Sequence, residues 1–520
     1  MTNQARTDAI WERLASLDTP TLAKLFAADP QRAERLSQRL EFALGEGGED
    51  ESSPDPVGML LDWSKTHLDD DVLEAFEELA EAAAFDAARE ALFDGNVVNP
   101  TEGRPATHAA MRGSGSPADV EEGQALLARM GMLVEAIHQG ALGDINHLIH
   151  IGIGGSALGP QLAVDALTRD LELVDVHVVS NIDGLALERA FAACDPATTL
   201  IAVASKTFTT TETMTNAASA LKWLGDNGVS DPGGRVVALT ANPERAVEWG
   251  VDETRILPFP QSVGGRYSLW SSIGFPVALA VGMEDFAAML AGAKAMDDHF
   301  RAARGRANAP LLAAFGDLYY TRVRGCQTRA VFAYDERLAL LPDYLQQLEM
   351  ESNGKGVRAD GQALDRPSAP ITWGGVGTDA QHAVFQLLHQ GTHLVPVDFI
   401  ASIAPGDALD PAHHSALLMN CLAQGAALMA GKQSDDPARH YPGDRPSATI
   451  LLDDCDAATL GALIAFHEHR IFAAAVLMGI NPFDQFGVEL GKEMARSIGE
   501  GEGEFDPSTR ALMKAAGFGP

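Results

Sequence analysis

Val203-Ala-Ser-Lys-Thr-Phe-Thr-Thr-Thr-Glu-Thr-Met-Thr-Asn216 decides how this chain is read. An apolar run over 200–204 stops at Ser205, Lys206 and Thr207, and a helical pattern begins after Thr209, Thr210 and Thr211. A strand that delivers hydroxyls and one lysine onto a helix start offers an anion backbone N–H groups, O–H donors and a positive charge. A second turn of this kind lies upstream, His147-Leu-Ile-His-Ile-Gly-Ile-Gly-Gly-Ser156. The pair predicts one phosphate held between two strand-to-helix turns.

Short apolar runs over 148–153, 174–179, 200–204, 236–239 and 255–257 alternate with helical patterns, which predicts a parallel sheet covered by helices on both faces. The turns follow the first and third of these strands. In a doubly wound sheet of order 2-1-3-4-5 those strands are neighbours, and the crevice at their carboxyl ends is the switch point where ligands bind. A second series, over 330–333, 371–373, 394–400 and 449–452, predicts a second α/β unit in tandem. In front of both, residues 8–42 and 69–93 read as helices, with a polar loop over 45–56.

The 520 residues suit more than one domain, and 46% hydrophobic with 21% charged residues is a globular composition. A net charge of −34 argues against nucleic acid and anionic membranes as partners. Any anionic substrate must then be captured locally, by oriented dipoles and a few placed cations. Four scattered cysteines, Cys194, Cys326, Cys421 and Cys455, form neither a zinc framework nor a disulfide scaffold. The N-terminal residues have no apolar signal-peptide core, and no uninterrupted apolar stretch reaches the length of a membrane span. A cytoplasmic setting is expected.

Further motifs carry candidate chemistry. Gly152-Ile-Gly-Gly-Ser-Ala157 also fits a loose dinucleotide pattern, but the second strand ends in Val179-Ser-Asn181, without the acidic residue that reading needs. Arg266, in Val263-Gly-Gly-Arg-Tyr-Ser-Leu-Trp270, is a permanent charge that does not compete for a substrate proton. In Gln346-Gln-Leu-Glu-Met-Glu-Ser-Asn-Gly-Lys355, Glu349 and Glu351 point to different sides of a helix, so one is expected to face a buried site and the other solvent. His382 and His389 share a helical face. His389 and His393 have metalloprotease spacing, yet Gln390 stands where that motif needs glutamate and Gly391 breaks the helix, so no metal is expected.

Taken together and in order, these segments with Phe483-Asp-Gln-Phe-Gly-Val-Glu-Leu-Gly-Lys492 resemble the glucose-6-phosphate isomerase (phosphoglucose isomerase) family. Fainter matches, such as Asn99-Pro-Thr-Glu-Gly-Arg104, extend the likeness over nearly the whole chain. The resemblance implies a helical N-terminal wrap over 1–115, two sugar-isomerase (SIS) domains over 116–290 and 291–480, and a helical tail over 481–520 that carries Lys492. It implies a homodimer with shared sites, and cofactor-free interconversion of glucose 6-phosphate and fructose 6-phosphate. By motif, Gly155, Ser156, Ser205, Thr207 and Thr210 would hold the phosphate, with Lys206 nearby. Glu351 would carry the proton between C2 and C1, and Arg266 would stabilise the enediolate. A partner's His382 and Lys492 would open the sugar ring, Glu212 would orient the histidine, and Gln347 and Gln485 would contact substrate.

Ala157, Phe486 and Pro482 depart from the common family residues, which leaves epimer selectivity open. A dual enzyme also acting on mannose 6-phosphate therefore remains an alternative. A non-catalytic sugar-phosphate sensor would not need Glu351, Arg266, His382 and Lys492 together. The isomerase half of an amidotransferase would need an N-terminal cysteine, where this chain has Thr2.

Overall fold

In the computed structural model, which describes residues 3–42, 57–169 and 172–518, strands assemble into two sheets. They are β1 (Ser37–Phe42), β2 (Val57–Asp62), β3 (His147–Ile151), β4 (Asp175–Val179), β5 (Thr199–Ala204), β6 (Val236–Thr240), β7 (Ile256–Pro258), β8 (Thr328–Tyr334), β9 (Ile371–Val376), β10 (Val397–Ser402) and β11 (Ser447–Leu452). The first sheet has the order β4-β3-β5-β6-β7 with every pair parallel, which is the 2-1-3-4-5 arrangement expected from the sequence. β5 and β6 are buried at every position, as central strands covered on both faces must be. Register pairs Ile151 with Val203, so the turns that follow β3 and β5 emerge side by side.

The second sheet runs β1-β2-β11-β10-β8-β9. Its four later strands are parallel and are those foreseen in the sequence. Past β11 the pattern changes: β2 and then β1 add antiparallel, pairing Leu61 with Ile450 and Leu40 with Met59. The helical reading of 8–42 is therefore corrected over 37–42. In Ser37-Gln-Arg-Leu-Glu-Phe42, Leu40 is buried between exposed Arg39 and Glu41, which is the period of a strand. A run this short is easily absorbed into the helical pattern before it. β2, between the two helical segments, was not foreseen. The loop read over 45–56 lies outside the described residues.

The helix Ala457–Met478 is long and apolar enough to cross a membrane, yet 94% of its apolar window is buried inside the protein. It carries His467, Glu468, His469 and Arg470 at mid-length, each compensated from a different direction or held neutral. Glu468 accepts from Arg112 Nη1 at 2.5 Å and from Trp270 Nε1 at 2.8 Å. Arg470 donates to Asp317 at 2.6 Å and to Asp398 on β10 at 2.7 Å. Buried charges persist only when paired this closely. By its contacts the chain divides into one unit ending at Pro482 and a second, Phe483–Pro520. The latter holds the helices Glu489–Glu500 and Pro507–Ala515, neither of which buries a residue.

Candidate active site

The first turn leaves β3 at Gly152 and enters the helix Leu158–Leu167 through one tight helical turn, Gly154–Ser156. Its shape is held from behind. The His150 ring, fully buried on β3, donates from Nε2 to the Ser156 carbonyl at 2.7 Å, and burial lowers its pKa to about 4. Gly155 packs directly on the loop that carries Arg266. A Cβ there would lie 2.1 Å from the Gly265 carbonyl carbon and 2.4 Å from Arg266 N, so no other residue fits. Gly154 has φ +57°, and the Gln347 amide lies over it, since a Cβ there would meet Nε2 at 2.9 Å.

The second turn follows β5. Ser205 is buried, its N–H donates to the Leu239 carbonyl at 3.0 Å, and its hydroxyl is 3.1 Å from that of Thr210. Thr209 donates to Thr207 at 2.8 Å. Phe208 has a left-handed backbone, φ +54°, with its side chain buried edge-on against Trp249. That conformation is uncommon outside glycine and is retained where packing over-determines it, often beside a ligand. Thr210 caps the helix Thr211–Asp226 without a side-chain hydrogen bond to its N-terminal amides. Lys206 donates to the carbonyls of Gln261 and Val263 at 2.7 and 2.9 Å. Its charge thus steadies the segment leading to Arg266. Burial, aided by Arg104 and Arg266, lowers that ammonium to about 8, with Glu102 opposing.

Across from the first turn, the helix Leu341–Asn353 brings Gln347 and Glu351 into the same place. Gln347 Nε2 donates to Glu351 Oε2 at 2.7 Å. Glu351 Oε1 stands 3.7 Å from Arg266 Nη1, with the carboxylate side chain 17% exposed and the guanidinium 1% exposed. That leaves the acid reachable from solvent and the cation fixed behind it. Arg266 is anchored by Nε to Ser352 Oγ at 2.6 Å and by Nη2 to the Pro482 carbonyl. Tyr267 OH reaches the same Ser352 hydroxyl at 2.9 Å. Ser352 and the Pro482 carbonyl were not singled out in the sequence; the serine lies one position past the acid, but a carbonyl carries no sequence signal.

Glu349 is not the solvated partner expected from its spacing. It is 2% exposed and accepts from Arg329 Nη2 at 2.5 Å, inside a network with Asp317, Asp398 and Arg470. Burial raises its pKa, while Arg329 opposes that shift. Both carboxylates of the motif are therefore drawn in, one towards a cleft and one into the interior.

The remaining candidates are His382, Glu212, Gln485 and Lys492. His382 is exposed on the helix Gly377–Gln390, and Glu212 is half-buried in the first turn of Thr211–Asp226; neither side chain makes a hydrogen bond or ion pair among the described residues. Gln485 and Lys492 belong to the second unit, Lys492 exposed on the helix Glu489–Glu500. The helix bearing His389 ends at Gln390, and that ring meets Gln424 Oε1 at 2.9 Å.

Hydroxyl-lined turns at the switch point of a parallel sheet, facing one carboxylate and one fixed cation, define a doubly wound α/β protein built for a small anionic ligand. The phosphoglucose isomerase family model matches residues 62–513, and the chain belongs to that family. Glucose-6-phosphate isomerase of Erythrobacter litoralis is 70% identical over 99% of this chain and 100% of its own, and that of Novosphingobium aromaticivorans is 68% identical over 99% of each. Among solved structures, a glucose-6-phosphate isomerase from Chlamydia trachomatis superimposes with a TM-score of 0.85 at 29% identity, covering 98% of both chains.

Proposed function

We propose that this protein interconverts glucose 6-phosphate and fructose 6-phosphate in glycolysis and gluconeogenesis, with Glu351 as the proton carrier. The observation that carries the reading is the Gln347–Glu351–Arg266 cluster, set across Gly155 from the two phosphate-type turns. The substrate phosphate is held by Ser156, Ser205, Thr207, Thr210 and the N-terminal amides of the helix Thr211–Asp226, with the turn at Gly155 close by and Lys206 as the neighbouring charge. Remote binding energy of this kind orients the reacting carbons. After ring opening, the Glu351 carboxylate removes the proton at C2, the enediolate oxygens gather charge beside Arg266 while the hydroxyl proton passes from O2 to O1, and the same carboxyl returns its proton to C1.

His382 and Lys492 supply the acid and base of ring opening, His382 coming from a second copy and oriented by Glu212, while Gln347 and Gln485 contact the sugar. Exposed apolar side chains support such a homodimer. Next to His382, Gln381 donates to Asn420 at 3.2 Å, and Met419 beside it is 64% exposed. In the second unit Phe486, Leu490, Met494 and Leu512 are exposed as well. The acidic composition supports a cytoplasmic protein that binds neither nucleic acid nor membrane.

Incubation with fructose 6-phosphate in D₂O tests the reading, with glucose and mannose 6-phosphates resolved as products. Deuterium at C2 of the aldose is expected, and Glu351→Gln should lower turnover at least about a thousandfold, the scale of a general base. Near-normal turnover by that variant overturns the assignment.

A further inference from the structure

Away from these groups, a cavity of about 200 Å³ opens beside the helix Asn3–Ser16, lined among others by Asp8, Trp11, Arg322, Arg358, Asp365 and Gly479. Its two arginines lack the short carboxylate hydrogen bonds that hold several buried arginines of the molecule. Arg112, Arg329 and Arg470 each donate to carboxylates at 2.5–3.0 Å. Arg322, only 7% exposed, has a buried Nε with no hydrogen-bond partner, and its Nη2 stands 3.9 Å from Asp365. Arg358 also has an unpartnered buried Nε, with Nη2 3.6 Å from Asp8 and 3.8 Å from Asp365. These separations are ion-pair distances, too long for hydrogen bonds.

A guanidinium withdrawn from water without hydrogen-bonded acceptors is costly. Burial lowers the Arg322 pKa to about 10, Asp365 only partly offsetting it. The Trp11 ring, 4.7 Å from the Arg322 guanidinium, fixes its plane but accepts none of its in-plane N–H groups. Arg322 and Arg358 thus line one cavity with Asp8 and Asp365, and among the described residues neither guanidinium has a hydrogen-bonded carboxylate.

We propose that this cavity is a second anion site, which takes a small carboxylate- or phosphate-bearing molecule between Arg322 and Arg358. An oxyanion there replaces the long contacts to Asp8 and Asp365 with short charge-assisted hydrogen bonds, the geometry in which arginine outperforms lysine. The site is separate from the hydroxyl-lined turns, so it does not depend on the proposed isomerase chemistry.

Equilibrium dialysis against labelled inorganic phosphate, with malonate as competitor, tests the assignment on the full-length protein. Wild type is expected to bind one equivalent per chain more than Arg358→Gln, a variant whose half-hidden side chain can be replaced with less risk to folding than Arg322. Filling the site should change Trp11 emission, a change absent in Trp11→Phe. Displacement by malonate indicates a site for both oxyanions, and its failure indicates one for phosphate esters. Asp365→Asn removes the competing carboxylate and should bind at least about fivefold tighter, an effect in the direction that misfolding does not produce. Equal stoichiometry in wild type and Arg358→Gln, or weaker binding by Asp365→Asn, overturns the proposal.

Discussion

Gln347 holds Glu351 from one helical turn away, its amide donating to Oε2 at 2.7 Å while Oε1 is left towards Arg266. The spacing of four residues places both side chains on one helical face. A carboxylate that must take a proton and return it gains from being oriented by a neutral donor.

Gly155→Ala tests the closeness of the two loops. Its Cβ would need the space of the Gly265 carbonyl, so the loop bearing Arg266 must move. A displacement near 1 Å at a catalytic group costs about a hundredfold, so kcat/KM should fall by at least that much. Steady-state kinetics with fructose 6-phosphate would show it, and a near-wild-type value would mean that the loops tolerate separation.

The proposed completion of each site by a second copy predicts a distinctive complementation. Glu351→Gln and His382→Ala should each be nearly inactive, yet unfolding and refolding a mixture should restore about a quarter of wild-type activity, because half the dimers are mixed and each carries one intact site. No recovery from a properly reassembled mixture would place both residues of a site in the same chain.

His150 gives a pH dependence of stability. Its folded pKa is depressed to about 4, so between 4 and the ordinary value near 6.5 the unfolded chain binds the extra proton. Stability from this group is complete above that window and falls as pH drops through it, by about 3 kcal/mol in all. Urea unfolding of His150→Asn and wild type across the window should give curves whose difference narrows towards low pH. A pH-independent difference would contradict the buried neutral ring.

Arg329 tests the ion network beneath the helix Leu341–Asn353. Arg329→Met leaves Glu349 without its 2.5 Å partner and should destabilise the protein by about 3–5 kcal/mol, as breaking one side of a buried pair does. Chemical denaturation measures the loss. A change below about 1 kcal/mol would mean that the network relaxes or that Glu349 is readily protonated.

Much of the architecture was legible before folding. Central parallel strands are continuous apolar runs, and glycine or hydroxyl residues at their carboxyl ends mark the turns, so the first sheet's order and the neighbouring turns after Ile151 and Ala204 could be anticipated. What escaped was long-range pairing. Glu349 is drawn inward by Arg329, which is itself tied through Asp317 to Arg470, residues from three other elements that no local periodicity connects. β1 and β2 are strands because β11 offers them an edge, and a six-residue run cannot declare that in isolation. Lys206 has phosphate-loop company in the sequence, but its observed acceptors are two backbone carbonyls more than fifty positions away.

The hairpin β1–β2 also bears on how the chain is made. Its strands emerge early from the ribosome, whereas β11, the neighbour that β2 requires, is among the last sheet segments synthesised. The first parallel sheet can close while the nascent polypeptide is still growing. The second must keep a paired but uncovered edge waiting until translation is nearly over, a topological delay of the kind that slows maturation and invites chaperone attention.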